Sequence, residues 1–244
     1  MLKTKNLTKT YKTREGMIQA LAGLDLQVED GEIFGLLGPN GAGKTTAVKM
    51  IMGFMAPTAG EIAFQGKTLN MAEPRPQFGY LPESFKPNPN LTVGEYIRFH
   101  NDLAGPRSGS MNDDAINEQL RLVGMDRFSR RRISDLSKGM GQRLGLAQAF
   151  AGNPDFLVLD EPTSGLDPIG RSEVIDLLLS INQQGKTIFF CSHILSEVER
   201  LCNRIGILVE GRLQFVGGVH DFLEKWQVDN LDDGFRQEVK CTTS

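Results

Sequence analysis

Residues 38–46 read Gly-Pro-Asn-Gly-Ala-Gly-Lys-Thr-Thr. Gly38, Gly43, Lys44 and Thr45 satisfy the phosphate-loop spacing G-x-x-x-x-G-K-[ST]. Glycines let consecutive backbone N–H groups turn inward around an anion. Pro39, Asn40, Gly41, Ala42 and Thr46 complete the cradle. Lys44 brings an ammonium for the β- and γ-phosphates, and the Thr45 hydroxyl suits Mg²⁺, which prefers oxygen. A glycine turn alone would not account for the Lys-Thr pair at this offset. The loop therefore predicts phosphate binding and leaves the nucleotide open.

Asp160 and Glu161 follow the wholly apolar run 156–159. In an open parallel sheet, ligand chemistry gathers at the carboxyl ends of the strands. Asp160 is thus expected to hold Mg²⁺, directly or through water, and Glu161 to orient or deprotonate a water. His193 follows a second buried run, 186–191, and falls on the same edge, where it can sense the γ-phosphate.

The elements that must position these groups can be read around them. Residues 33–37 are an apolar strand leading into the loop, and a helix is expected to open at Lys44 or Thr45, adding its positive dipole end. Residues 1–31 suggest short strands, with 24–28 alternating and a tight turn at Asp30-Gly31. Tyr11 is expected in a loop between them, where an exposed ring can stack on a base, the ordinary alternative being a partly buried surface tyrosine. Strands are predicted over 61–66 and 78–81.

Residues 84–91 form a Pro- and Asn-rich linker, beyond which the pattern turns helical. Thr92 and Glu95 make a capping box, and Val93, Tyr96, Ile97 and Leu103 an apolar stripe. A polar loop over 105–112 and a helix over 115–123 follow. Residues 136–143 open a further helix. Asp167 is expected to cap the helix that Pro168 begins, running through Asn182. Residues 204–209 and 212–215 close a hairpin, and 217–244 read as a short helix and a polar tail. Arg127, Arg130, Arg131 and Arg132 are best read as a solvated face.

The chain has 244 residues and a formal net charge of −3, which does not suggest a nucleic-acid partner. Its three cysteines are scattered, as expected in a reducing compartment and not in a disulfide framework. No apolar run approaches the ~20 residues that cross a bilayer, and the first five residues lack a signal-peptide core. A cytoplasmic protein touching a membrane through a partner is expected.

Taken in order, these motifs resemble those of the ATP-binding subunit of an ABC transporter, from residue 2 to about 217. The match runs through Tyr11, the Walker A loop 38–46, the Q-loop at Tyr80-Leu-Pro-Glu83, the signature 136–140, Walker B at 156–161, the D-loop 164–167 and the switch histidine His193. The resemblance implies an α/β P-loop NTPase core of RecA type, with an N-terminal antiparallel β subdomain and an inserted helical subdomain. The implied boundaries are 1–86 and 151–216 for the core, 87–150 for the helical subdomain and 217–244 for a C-terminal helix and tail.

It further implies ATP and Mg²⁺ as cofactors. Tyr11 would stack on adenine. Ser137, Gly139 and Asp167 would join the loop in binding ATP. Thr45, Glu83 and Asp160 would hold the metal, with Lys44, Glu161 and His193 catalytic. The implied partners are a second copy of the chain, head to tail, and an integral membrane subunit on another chain, with this subunit on the cytoplasmic face. The signature reads Leu-Ser-Lys-Gly-Met instead of Leu-Ser-Gly-Gly-Gln, and Glu83 replaces the usual glutamine. Both departures resemble exporter subunits of drug and antibiotic resistance, or of polysaccharide and sodium export. The alternative is a non-transport ABC ATPase of assembly or regulation.

Overall fold

The computed structural model describes residues 1–14, 16–70, 73, 76–105 and 112–243. The polar loop expected at 105–112 falls, over 106–111, outside the described residues. In chain order the elements are β1 (Leu2–Thr13), β2 (Gly16–Val28), β3 (Ile33–Leu37), α1 (Lys44–Ile51), β4 (Ala59–Phe64), β5 (Lys67–Thr68) and β6 (Phe78–Leu81). There follow α2 (Val93–Leu103), α3 (Asp113–Leu122), α4 (Lys138–Ala149), β7 (Phe156–Asp160) and α5 (Pro168–Gln183). The chain ends with β8 (Thr187–Cys191), α6 (Leu195–Leu201), β9 (Arg204–Val209), β10 (Arg212–Gly218), α7 (Val219–Trp226) and α8 (Leu231–Thr243). They fall into two compact units, Met1–Pro76 with Thr187–Ser244, and Gln77–Lys186.

In the first unit an antiparallel sheet runs β2-β1-β4-β5. The short strands expected before residue 31 are instead two long ones, of 12 and 13 residues, paired from Leu2↔Val28 to Thr13↔Gly16. Register shifts along β1 absorb the irregular polar spacing that masked its length. A second set runs β10-β9-β3-β8. Here β3 is parallel to β8 at Ile33↔Ile188 and to β9 at Phe34↔Arg204. All five residues of β3 and of β8 are buried, which is why both read as mainly apolar runs; the one polar side chain, Thr187, accepts from Gly31 N at 2.8 Å. Phe34 stacks on Phe189 with ring centroids 5.9 Å apart.

The tail expected after 217 is two helices. Glu238 of α8, only 6% exposed, accepts from Lys225 Nζ at 2.6 Å and Trp226 Nε1 at 2.7 Å. Those long-range bonds turn a polar segment into a packed one.

In the second unit β6 pairs parallel with β7 from Phe78↔Phe156 to Leu81↔Leu159. The capping box at α2 forms: Thr92 N donates to Glu95 Oε2 at 2.8 Å, and Glu95 N to Thr92 Oγ1 at 3.3 Å. These bonds hold the Glu95 carboxyl below its ordinary pKa. Val93, Tyr96 and Ile97 are buried as expected, but Leu103 is 66% exposed. The inward place on the last turn goes to Asn101. It donates to Gln119 Oε1 at 2.8 Å and accepts from Gly152 N at 3.0 Å, and Gln119 donates to Ala147 O at 2.7 Å. A buried, satisfied amide network thus joins α2, α3 and α4 where an apolar stripe was expected. The four arginines of 127–132 are exposed.

Candidate nucleotide site

In the first unit, β3 delivers the chain to the phosphate loop and α1 leaves it. α1 is anchored by buried Ala47, Val48, Met50 and Ile51, so its start is fixed in space. Its N-cap is Gly43, at φ 107, with no side-chain cap bond and no acid in the first turn. The first N–H groups of a helix lack intrahelical partners, so this end offers donors and a positive dipole to an anion. Two glycines are obligatory by contact. A Cβ on Gly38 would lie 2.3 Å from Leu208 O, and one on Gly43 would lie 2.5 Å from Ala20 O.

The loop is clamped from outside the motif. Gly211, in the β9–β10 turn, donates to Ala42 O at 3.0 Å and accepts from Ala22 N at 2.8 Å. Lys44 Nζ donates to Gly38 O at 2.5 Å and Pro39 O at 3.2 Å, so the ammonium lies over the loop's own carbonyls. Thr45 and Thr46 are half-buried beside it, and Asn40 and Gly41 are exposed.

Tyr11 is not in a loop. It lies on β1 opposite Ile18 and is half-buried. Its hydroxyl sits 3.0 Å from Met55 Sδ and 3.5 Å from Thr46 Oγ1. The ring is therefore presented from a paired strand and brought next to the phosphate loop. His193 follows β8 and is exposed, after a buried Ser192 whose Oγ accepts from Ile194 N at 3.1 Å.

In the second unit, all of β7 is buried, and the strand ends on Asp160, 2% exposed, and Glu161, 7% exposed. Glu161 adopts a left-handed backbone, φ 54. A non-glycine residue there carries about 1–3 kcal/mol of strain. The turn is held through its carbonyl, which accepts from Ser164 N at 3.1 Å and from Gln142 Nε2 at 3.0 Å. Gln142 is on α4, the signature helix, and is itself buried. Sequence reasoning passed over it, although Gln142 falls on the face of α4 that also carries the buried Gly145, Leu146 and Ala149.

Ser137 caps α4, its Oγ accepting from Met140 N at 3.2 Å. A Cβ on Gly139 would meet Leu166 Cδ2 at 3.2 Å, and one on Gly165 would meet Lys138 Cε at 2.7 Å. The signature and the D-loop therefore pack on each other within one chain. Asp167 caps α5, accepting from Gly170 N at 2.7 Å. Glu83 is exposed beyond β6. Among the described residues no three His, Cys, Asp or Glu side chains gather as a metal cluster. The donors expected for a metal, Thr45, Glu83 and Asp160, are all oxygens and suit Mg²⁺.

A glycine loop on a buried parallel strand, opening an anchored helix, defines a P-loop NTPase. A sequence model of the family described as ABC transporter matches residues 21–164. The bacitracin transport ATP-binding protein BcrA of Bacillus licheniformis is 39% identical over 216 residues, 87% of this chain and 68% of that one. The methionine import ATP-binding protein MetN 2 of Listeria monocytogenes is 36% identical over 228 residues, 91% of this chain and 67% of that one. A solved dimeric ATP-binding cassette in a post-hydrolysis state, bound to ADP and Pi, aligns with a TM-score of 0.81. It is 28% identical, and the match covers 90% of this chain and 99% of that one. The chain belongs to the ABC transporter family. It is an ATP-binding, ATP-hydrolysing subunit, and among its described residues no helix is long and apolar enough to cross a membrane.

Proposed function

We propose that this subunit powers export through a separate membrane subunit, by ATP-dependent closure of two copies of the chain. The observation that carries the direction is the pair of motif departures: Lys138 and Met140 in the signature, and Glu83 at the Q-loop. The relative named for bacitracin transport supports it. A relative named for methionine import aligns nearly as well, so identity alone does not choose the direction.

Hydrolysis is read as in-line attack of water on the γ-phosphate. Glu161 orients or deprotonates the water, the Lys44 ammonium leaves the loop carbonyls for the β- and γ-oxygens, and His193 contacts the γ-phosphate. Residues 38–46 bind the triphosphate through backbone N–H groups, and Tyr11 takes the adenine. Mg²⁺, held by Thr45, Asp160 and Glu83, would supply charge neutralisation. Ser137 and Gly139, with Asp167, serve the ATP of the partnering copy, so each site is completed in the dimer. In this reading 87–150 is the helical subdomain that meets the membrane subunit, on its cytoplasmic face.

Glu161→Gln tests the cycle. The variant keeps ATP binding, loses most turnover, and accumulates as an ATP-bound dimer in size exclusion with light scattering. An ATP-bound monomer alone, or undiminished turnover, would count against the mechanism. Direction is tested with the membrane protein that co-purifies with the chain, reconstituted in vesicles. ATP added on the side of this subunit must drive substrate away from that side.

A further inference from the structure

The β1 strand carries a second side chain at the proposed base platform. Lys9 is half-buried, two residues before Tyr11. The β1–β2 register slips between Lys9, opposite Leu21, and Thr10, opposite Gln19. Such an irregularity re-aims the side chains around it. Here the Lys9 ammonium lies over the Tyr11 ring, 5.5 Å from its centroid, and donates to Ala56 O at 2.8 Å. The Tyr11 hydroxyl reaches Met55 Sδ, the neighbouring residue.

Two adjacent residues just beyond the phosphate-loop helix thus hold both side chains. Tyr11 is pinned at its tip by Met55 and on one face by a cation that the Ala56 carbonyl fixes. Thr46, in the first turn of α1, is 3.5 Å from the same hydroxyl.

We propose that Lys9 is a positioning residue for the nucleotide base. Resting on the reading that Tyr11 is the base platform, it sets the ring at a fixed distance from the phosphate cradle and leaves the other ring face to a purine. A ribose triphosphate has a bounded reach, so a ring held within that reach of the cradle binds base and phosphates together. A ring free to swing must be ordered on binding. The cation also raises the attraction of the ring for its own support, since an ammonium over an aromatic face is held by the ring quadrupole.

The test compares β,γ-imido ATP with inorganic tripolyphosphate, by calorimetry on the full chain. Lys9→Met weakens the nucleotide about two- to fivefold, the range of an exposed cation–π contact, and leaves tripolyphosphate unchanged. Lys9→Arg, which keeps the charge and a donor for Ala56 O, restores most of the loss. Tyr11→Ala weakens the nucleotide at least as much, and adding Lys9→Met to it costs nothing further, because coupled residues do not add.

Equal losses for both ligands would overturn the proposal, since the cradle itself would have loosened. Additive losses in the double variant, or a Lys9→Met protein with unaltered nucleotide affinity, would do the same while leaving the Tyr11 platform standing. Unaltered nucleotide affinity in Tyr11→Ala would remove the platform reading and this inference with it.

Discussion

The helices α1 and α4 both start among small residues, and both starts are assigned to phosphate, yet they are finished differently. α1 begins at Gly43, which has no side chain to offer, and its first turn carries no acid. α4 begins at Ser137, whose hydroxyl already accepts from Met140 N. The first start has no side-chain cap and is proposed to take the nucleotide's phosphates, with Lys44 parked on the loop carbonyls beside it. The second is closed by its own chain and needs no ligand to be stable. A residue can therefore belong to a nucleotide motif and still have a structural duty, and the two duties separate under mutation.

The largest expected effect is at α1. Lys44→Ala removes the ammonium that lies over the loop carbonyls, and ATP affinity falls by about 10- to 100-fold, which is roughly 1.4–2.8 kcal/mol. Calorimetry reads it directly, and unchanged affinity would break the contrast. Next is α4. Ser137→Ala destabilises the chain by about 1 kcal/mol through the lost cap, seen as a lower denaturation midpoint. Ser137→Asp sharpens the comparison. It keeps the cap and the stability but sets a carboxylate where the partner's phosphate is proposed, so ATP-driven dimers and turnover are lost while binding of ATP by one copy persists. A Ser137→Asp protein with normal turnover would remove the serine from the site.

The smallest effect concerns pH and falls in the second unit. His100 in the second unit lies against Tyr96 and Phe99, with centroids 4.5 and 5.5 Å away. Burial lowers its pKa below the ordinary 6.5, and pushes the Tyr96 hydroxyl up to about 12. The folded state thus prefers the neutral imidazole and binds fewer protons than the unfolded one just below pH 6.5. That contribution is present above the unfolded pKa and lost as pH falls through the folded one. Stability measured by denaturant from pH 7 to 5 should decline, and His100→Gln should flatten that decline. An identical slope in the variant would assign the loss elsewhere.

The chemistry-bearing stretches were legible because they are local. A phosphate loop is a statement about nine consecutive residues, and a strand covered on both faces is mainly apolar, with a polar residue only at its end, as at Asp160 of β7 and Thr187 of β8. The capping box at Thr92 and Glu95 and the cap at Asp167 were legible for the same reason, since both partners lie within one turn. What failed depended on distant partners. Leu103 fits a helical stripe by spacing, but Asn101 wins the inward position because Gln119 and Gly152 satisfy its amide. Residues 231–243 look like a polar tail until Glu238 meets Lys225 and Trp226.

Tyr11 shows the division most clearly. The sequence by itself determined an aromatic upstream of a phosphate loop, and with the other motifs it determined the family. Only the tertiary structure decided that this ring stands on a long paired strand, bound at its hydroxyl and covered by Lys9. Residue type and spacing report what a side chain can do. Register shifts, carbonyls from another segment and a sulfur 44 residues away decide where it does it, because those bonds exist only once the chain has folded back on itself.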